Sequence, residues 1–210
     1  FLEDVIDKRE LTMVPEKLHI KETLEKALEL HKEIKRIFVI NDTVSTTGKM
    51  NRKLVEKLKE CSVGNNKKKI HLHHINGTVA TSTPTNGKST RQNENTIDVL
   101  HSTSNSMEKL LDKITFLDKH TIVLLMSYNV DKSGQSYSYD DSARKITGVC
   151  RVPVYGVWDF QAGKGIIGGK LVNCRLHGKL AAKAVLGKLN IKRQQKRPDR
   201  TIDRNNIRES

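Results

Sequence analysis

Short polar and aromatic runs follow three apolar stretches of this 210-residue chain, at the points where strands would end. Asn-Asp-Thr occupies residues 41–43, Ser-Tyr-Asn-Val-Asp occupies residues 127–131, and Trp-Asp-Phe occupies residues 158–160. In sheets of mainly parallel strands, ligands bind at the carboxyl ends of the strands. Hydroxyl, amide, carboxylate and flat aromatic groups are the types that orient and cover a small molecule. The sequence therefore predicts a small-molecule site built from these three runs.

Two glycine-containing motifs match nucleotide-binding loops only in outline. Residues 163–168 spell Gly-Lys-Gly-Ile-Ile-Gly, but the dinucleotide fingerprint also needs a helix start for the pyrophosphate and an acidic residue about 20 positions on. No Asp or Glu lies between Phe160 and Pro198, and the glycines run into a strand-like stretch. Residues 86–89 end like a phosphate-binding loop, but Ser82 stands where that loop requires glycine. We expect no nucleotide and no other cofactor.

Groups that could hold a metal or carry out covalent catalysis do not form a recognisable set. Histidines 71, 73 and 74 are close in sequence, but a third ligand on one strand face and supporting carboxylates are not evident. The 3 cysteines show no Cys-x-x-Cys spacing, which argues against a metal cluster or a disulfide framework. The pair Asp140-Asp141 precedes a helix, where it would cap the N-terminus. No Ser/His/Asp grouping stands out, and we predict that the protein is not an enzyme.

The chain is strongly basic, with 38 Lys and Arg residues against 24 Asp and Glu, a formal net charge of +14. A charge of this size is one mark of nucleic-acid binding. Aromatic residues make up only 4% of the chain and are not interleaved with the basic runs, so few side chains are available to stack on bases. A basic nucleic-acid-associated protein is therefore the alternative hypothesis, and we expect no nucleic-acid partner.

Apolar periodicity predicts alternating helices and strands along most of the chain. Helical spacing covers residues 20–31, 46–60, 107–117, 138–147 and 176–189, and strand-like runs cover residues 36–40, 68–75, 121–127, 152–158 and 166–173. Strands that alternate with helices of about ten to fifteen residues specify βαβ units and a mainly parallel sheet covered on both faces. The predicted fold class is therefore α/β, a three-layer sandwich around a parallel sheet.

Other parts of the chain lack this periodicity. Residues 76–106 are rich in Ser, Thr, Asn and Gly, with only a weak apolar patch at residues 97–100, and they predict a long polar loop. Residues 191–210 predict a basic, disordered tail. No apolar run approaches the roughly 18 residues of a membrane span, so we expect no spanning helix in this chain. The first residue is Phe1 and no signal-peptide pattern follows it, so we interpret the chain as a piece of a longer protein.

An ordered set of motifs occupies residues 152–189. A Pro-Val-Tyr-Gly strand is followed by a Trp-Asp-Phe turn, the run GKGIIGG and an Ala-rich helix. This order resembles the signature of the periplasmic-binding-protein-like substrate-binding domains. Residues 121–134 are similar to a strand and polar turn of the same family, and residues 16–43 to the entry into its second lobe. Such domains occur as ABC-transporter solute-binding proteins and as extracytoplasmic sensing domains of membrane histidine kinases.

The resemblance implies a two-lobed fold of the type I binding-protein sort, which holds a small ligand between its lobes without transforming it. Residues 1–160 would form the second lobe, residues 161–190 would be the crossover strand and helix that return to the first lobe, and most of the first lobe would be absent. An extracytoplasmic location is also implied. The expected partners are a small-molecule ligand and either an ABC-transporter permease or a fused kinase domain.

A cleft of this kind needs apolar walls and a few polar groups directed inward. The candidate ligand-binding residues are Thr43, Ser127, Tyr128, Asn129, Trp158, Asp159 and Phe160. The three aromatic side chains would supply flat faces, and the others would supply hydrogen bonds. The alternative is that Trp158 and Phe160 are ordinary core residues and that Asp159 caps a turn. For the four glycines of residues 163–169, we expect positive φ angles or close backbone approaches.

Overall fold

A computed structural model describes residues 14–64, 67–75, 96–102 and 106–188 of this chain. The strands are β1 (Arg36–Asn41), β2 (Ser62–Val63), β3 (Lys68–Ile75), β4 (Thr96–Ser102), β5 (Thr121–Ser127) and β6 (Val154–Gly156). The helices are α1 (Ile20–Leu30), α2 (Thr46–Glu56), α3 (Met107–Thr115), α4 (Tyr139–Val149) and α5 (Cys174–Lys188). Short 3₁₀ helices lie at Lys57–Glu60 and Asp159–Gln161. The described residues therefore form a mixed α/β structure.

The strands form one sheet with the order β2-β3-β4-β1-β5-β6. Among the described residues, each neighbouring pair of strands is parallel except β2 with β3, which is a short antiparallel pair. β1 lies in the interior of the sheet, between β4 and β5. The expectation of an α/β class with a mainly parallel sheet is confirmed.

Two helix pairs cover the two faces of the sheet. Ile37 and Val39 of β1 belong to the same buried cluster as residues of α1 and α2, whereas Phe38 and Ile40 belong to the cluster that includes α3 and α4. We call these the α1/α2 face and the α3/α4 face. The interior strand β5, between β1 and β6, is buried along its whole length because both faces are covered, which explains its continuous apolar sequence.

A serine begins each of the three helices that follow β1, β4 and β5. The hydroxyl oxygens of Ser45, Ser106 and Ser138 accept hydrogen bonds from backbone N–H groups in the first turns of α2, α3 and α4. These bonds satisfy N–H groups that have no partner within the helix, and each is typically worth about 1 kcal/mol. The caps thus fix where the chain turns from each strand end into the next helix.

The prediction of a long polar loop over residues 76–106 is wrong in its C-terminal part, where β4 (Thr96–Ser102) lies at the weak apolar patch. Ile97, Val99 and His101 are buried at alternate positions, while Thr96, Asp98 and Leu100 are half-buried. The alternation of apolar and polar residues in β4 covers only a few positions, and the polar residues on both sides make it hard to recognise in the sequence. Residues 76–95 and 103–105 lie outside the described residues.

The predicted strand at residues 166–173 is reduced to two isolated bridges beside β6. Gly168 pairs with Tyr155 and Val172 pairs with Trp158, both in parallel orientation. The glycines give the segment an irregular path: Gly165 has φ 93° and Gly169 has φ 150°. A β-carbon on Gly169 would lie 2.1 Å from the carbonyl oxygen of Gly156, so the close approach expected for this run is present.

The chain divides into two compact units. The first, Glu16–Cys174, contains the whole sheet and helices α1 to α4. The second consists of Phe1–Pro15 and Arg175–Ser210, and in its described part the His177 Nε2 atom lies 2.8 Å from the carbonyl oxygen of Val14. The predicted tail at residues 191–210 lies outside the described residues.

Candidate functional site

The three predicted runs lie at the carboxyl ends of β1, β5 and β6, which are adjacent and parallel. After β1 the chain enters α2 on the α1/α2 face, and after β5 it enters α4 on the α3/α4 face. Such a divergence between neighbouring strands leaves a crevice at their carboxyl ends, which is where ligands bind in open α/β sheets. The sequence thus placed its candidate residues along one edge of the sheet.

A buried network of amide and hydroxyl groups ties β1 to β5 just inside this edge. The Asn51 Nδ2 group of α2 donates hydrogen bonds to the Asn41 Oδ1 atom at 3.2 Å and to the Ser127 Oγ atom at 3.0 Å. Asn41 Nδ2 in turn donates to the carbonyl oxygens of Asp42 and Gly48, at 2.7 and 2.8 Å. Ser127, one of the candidate ligand-binding residues, is 2% exposed and its hydroxyl group serves this network.

The Asp42 carboxylate joins the ends of β1 and β5 at the crevice. Its Oδ1 atom accepts hydrogen bonds from the backbone N–H and the hydroxyl group of Ser45, at 2.9 and 2.7 Å. Its Oδ2 atom accepts one from the backbone N–H of Asn129 at 3.3 Å. Thr43 follows Asp42 in sequence, and Asn129 is the residue whose backbone N–H is bound by the Asp42 carboxylate. The side chains of Thr43 and Asn129 are half-buried. Thr43 and Asn129 are the two candidates that flank the crevice with side chains still partly exposed.

The turn that follows β5 is built around the buried carboxylate of Asp131. Its oxygens accept hydrogen bonds from the backbone N–H groups of Ser133, Gln135 and Met107, at 2.8, 3.1 and 3.2 Å, and from the hydroxyl group of Tyr137 at 3.3 Å. Burial acts to raise the pKa of Asp131, but the hydrogen bonds outweigh it and hold the pKa below its usual value. This carboxylate therefore fixes the shape of the turn beside Asn129.

Two candidate aromatic residues, Tyr128 and Trp158, are buried on opposite faces of the sheet. Tyr128 belongs to the cluster on the α3/α4 face and is 4% exposed, and Trp158 belongs to the cluster on the α1/α2 face and is 9% exposed. Burial raises the pKa of the Tyr128 hydroxyl group, with a smaller contribution from the charge of Asp131. The two rings therefore do not form facing walls of one cleft.

The rings of Phe160 and Tyr139 extend a row of aromatic contacts from the buried Trp158 to the protein surface near the carboxyl end of β6. The rings of Trp158 and Phe160 are stacked, with centroids 5.6 Å apart, and the ring of Tyr139 lies 4.5 Å from that of Phe160. Phe160 is half-buried and Tyr139 is 42% exposed. The exposed aromatic surface near β6 thus comes from Phe160, a sequence candidate, and from Tyr139, which the sequence analysis did not single out.

The buried side chain of Gln161 connects β6 to β5. Its Nε2 group donates hydrogen bonds to the carbonyl oxygens of Leu125 and Met126, both at 3.2 Å. Its Oε1 atom accepts hydrogen bonds from the backbone N–H groups of Val157 and Trp158, at 2.9 and 3.1 Å. Both halves of the amide are used, so this side chain holds the carboxyl end of β6 against its neighbour.

The Asp159 carboxylate caps α5 and is not directed at an open site. Its Oδ2 atom accepts a hydrogen bond from the backbone N–H of Cys174, the first residue of α5, at 2.8 Å. Hydrogen bonding to Cys174 lowers the pKa of Asp159 and raises the pKa of the Cys174 thiol to about 11, with burial and the nearby negative charge adding to the latter. The turn-capping alternative for Asp159 matches this geometry.

The glycine run and part of the histidine group that the sequence analysis set aside lie within the described part of the chain. No group of three or more His, Cys, Asp and Glu side chains there could hold a metal ion. The run at residues 163–169 leads into an extended segment, and α5 begins only at Cys174. Residues 86–89 lie outside the described residues.

Asn51 and Gln161 are buried polar residues beside the candidate site that the sequence analysis did not single out as site residues. Asn51 lies on a helix that contains polar, charged and apolar residues, and no known motif surrounds it. Gln161 is a single polar residue that follows the Trp-Asp-Phe turn. A polar residue on the buried stripe of α2, at the spacing of Gly48 and Val55, is the signal that could have identified Asn51.

No family model, curated protein or solved structure matches this chain. Among the described helices, none has the length and apolar character needed to cross a membrane. What the fold itself defines is an α/β unit with a mainly parallel sheet, in which the Asp42 carboxylate links the carboxyl ends of β1 and β5.

Proposed function

We propose that residues 16–174 form the α/β lobe of a non-catalytic domain that binds or senses a small solute at the carboxyl ends of β1, β5 and β6. One observation carries this proposal: the chain leaves β1 and β5, two neighbouring parallel strands, toward opposite faces of the sheet. Open α/β sheets bind ligands at that kind of crevice.

The groups around the crevice suggest the chemistry of the solute. Thr43 and Asn129 offer a hydroxyl group and an amide oxygen on half-buried side chains, next to backbone fixed by Asp42. The Nδ2 group of Asn129 donates a hydrogen bond to the carbonyl oxygen of Tyr137 at 3.5 Å. Phe160 and Tyr139 offer aromatic surface at the end of β6. A small polar solute with one apolar face suits this combination, because fixed polar groups orient a ligand and aromatic surface covers it. Preorganisation by the buried Asn41 and Asn51 network lowers the entropic cost of binding.

The assignment to a particular family of solute-binding domains rests on the motifs at residues 152–189. These motifs support the proposal that the chain is the second lobe of a type I binding-protein domain, that the solute is held between this lobe and a first lobe, and that the domain is extracytoplasmic. In that arrangement the domain would serve an ABC transporter or a sensor histidine kinase. The mostly parallel sheet is compatible with such a lobe and supports the assignment at the level of fold class.

Thermal unfolding of the 210-residue chain tests the proposal. Separate panels of sugars, amino acids, dicarboxylates and nucleosides are added at millimolar concentration, and hits are titrated by calorimetry. A solute at about 100 times its Kd stabilises the folded state by roughly 2.7 kcal/mol, which raises the Tm by several degrees. We expect one chemical class to do so, and we expect Thr43→Val and Asn129→Ala each to weaken its binding by about tenfold.

Lys119→Ala is the matched control, because Lys119 is exposed just before β5, at the opposite edge of the sheet. Its affinity should equal that of the unchanged chain. Absence of stabilisation by every panel, or binding that survives both crevice variants unchanged, would contradict the proposal.

A further inference from the structure

The indole Nε1 atom of Trp158 is a buried hydrogen-bond donor that has no partner in the described part of the chain. The residue as a whole is only 9% exposed. Folded proteins rarely leave a buried N–H group unpaired, because such a group has lost its hydrogen bond to water and has gained none in return. A donor of this kind beside a candidate site can be satisfied by an acceptor atom of the ligand.

The side-chain acceptors on the turn that follows β6 are already engaged. Gln161 Oε1 accepts hydrogen bonds from the backbone N–H groups of Val157 and Trp158. The Asp159 carboxylate accepts a hydrogen bond from the backbone N–H of Cys174. These bonds fix the backbone that carries the indole ring, and they leave its N–H group unused.

Trp158 begins the row of aromatic rings that reaches the surface at this edge of the sheet. Its ring and that of Phe160 are nearly parallel, with an interplanar angle of 16°. The half-buried Phe160 ring lies between the buried indole and the exposed ring of Tyr139. A flat ring that displaced the Phe160 side chain would therefore gain stacking surface and would come next to the indole, and stacked ring pairs are favourable.

We propose that Trp158 determines which solutes bind: its indole N–H donates a hydrogen bond to a flat, uncharged ring that carries a ring nitrogen or a carbonyl oxygen. This inference rests on the solute site proposed above. The aromatic neighbours favour a flat ring, and the unpaired donor favours an acceptor on the rim of that ring. An anionic acceptor is disfavoured, because the adjacent Asp159 has a pKa below its ordinary value and is negatively charged at neutral pH.

Three probes that share one six-membered ring test this inference on the full chain at pH 8. Pyridine has a ring-nitrogen acceptor, benzene has the same shape without it, and benzoate carries an anionic acceptor. The chain contains a single tryptophan, so an isotope-labelled sample gives one indole N–H signal in its NMR spectrum. We expect pyridine to move this proton signal downfield in a saturable titration, and to bind about tenfold more tightly than benzene or benzoate.

A pair of variants separates the indole N–H from general aromatic contact. Trp158→Phe keeps a flat ring and removes the donor, so the tenfold preference for pyridine over benzene should disappear in ligand-detected NMR titrations. Phe116→Ala is the control, because Phe116 is an exposed aromatic residue at the end of α3, and its removal should leave the preference unchanged. The comparison of the three probes on the unchanged chain remains decisive if Trp158→Phe does not fold.

Four outcomes would overturn the inference: no saturable binding of pyridine, equal binding of pyridine and benzene, tighter binding of benzoate, or a preference that survives Trp158→Phe. Failure of the proposed function is a different result, in which no panel of solutes stabilises the chain. A solute that binds through Thr43 and Asn129 without moving the indole signal would leave the proposed function standing and would overturn this inference alone.

Discussion

The Asp159 carboxylate accepts a hydrogen bond from the backbone N–H of Cys174 at 2.8 Å and thereby occupies the N-terminus of α5. A helix N-terminus by itself lowers the pKa of a cysteine thiol. Here the neighbouring carboxylate has the opposite effect and raises the pKa of Cys174 to about 11. Cys174 is exposed. Because the pKa of its thiol is raised, the unreactive protonated form is the one present at neutral pH.

Replacing Asp159 by Asn should activate Cys174. The hydrogen bond to a charged acceptor and the negative charge are removed, so the pKa of the thiol falls and more thiolate is present at pH 8 to 9. We expect alkylation by iodoacetamide to become at least about tenfold faster, measured by mass spectrometry of the Cys174 peptide. Cys61 in the same samples is the internal reference and should react at an unchanged rate. An unaltered Cys174 rate would show that Asp159 does not control this thiol.

Gln161→Leu should strongly destabilise the fold although it adds an apolar side chain. Two backbone N–H groups and two carbonyl groups at the ends of β5 and β6 lose their partner in a buried position. We expect a loss of about 3 kcal/mol in the free energy of unfolding, measured in urea. Gln135→Ala is the control, because Gln135 is exposed, and it should change the stability by less than about 0.5 kcal/mol. Equal effects of the two variants would contradict this role.

Two glycines within helices should respond to alanine in opposite directions. A β-carbon on Gly48 of α2 would lie 2.2 Å from both the carbonyl and a carboxylate oxygen of Asp42, whereas one on Gly148 of α4 would meet nothing within 4 Å. Gly48→Ala should lower the unfolding free energy by about 2 kcal/mol or more, since the backbone must move. Gly148→Ala should raise it by about 0.5 to 1 kcal/mol, because alanine is the better helix former. Thermal and urea unfolding of both variants measure the contrast, and a tolerated Gly48→Ala would mean that α2 does not approach Asp42 so closely.

The contribution of Asp131 to stability should depend on pH. Its pKa in the folded state lies below its ordinary value of 3.8, so the unfolded chain takes up a proton first as the pH falls. The stabilisation is therefore fully present above about pH 4 and is lost as the pH falls through the folded-state pKa. We expect Asp131→Asn to cost about 2 kcal/mol at pH 7 and progressively less below pH 4, in urea titrations at several pH values. Asp112→Asn, at an exposed position of α3, is the control and should change the free energy of unfolding by less than about 0.5 kcal/mol.

The sequence predicted the elements whose signal is local and continuous. β5 is apolar at nearly every position, and the α1 stripe of Leu24, Ala27 and Leu28 repeats at helical spacing, so both were identified with nearly the observed ends. β4 was missed because alternation at Ile97 and Val99 is short and its neighbours in sequence are polar. Its place beside β1 depends on partners far along the chain.

The sequence predicted which edge of the sheet would carry the candidate residues, but not the face on which each of their side chains lies. The rule for parallel strands brought Thr43, Asn129 and Phe160 to the carboxyl ends of β1, β5 and β6. It could not show which face each side chain enters, so Tyr128 and Trp158 were assigned to one cleft although they pack on opposite faces. Burial by helices from elsewhere in the chain decides that outcome, and no local pattern encodes it.

The interior position of β1 has a consequence for how the chain is made. Arg36 pairs laterally with Asp98 and Thr121, both far downstream, so the apolar segment Arg36–Asn41 leaves the ribosome long before either neighbour exists. Closing such large loops is slow, and an unpaired apolar strand is prone to aggregate meanwhile. Chains that terminate before Thr121 would therefore expose this segment permanently, and we expect them to depend on chaperones or to be degraded.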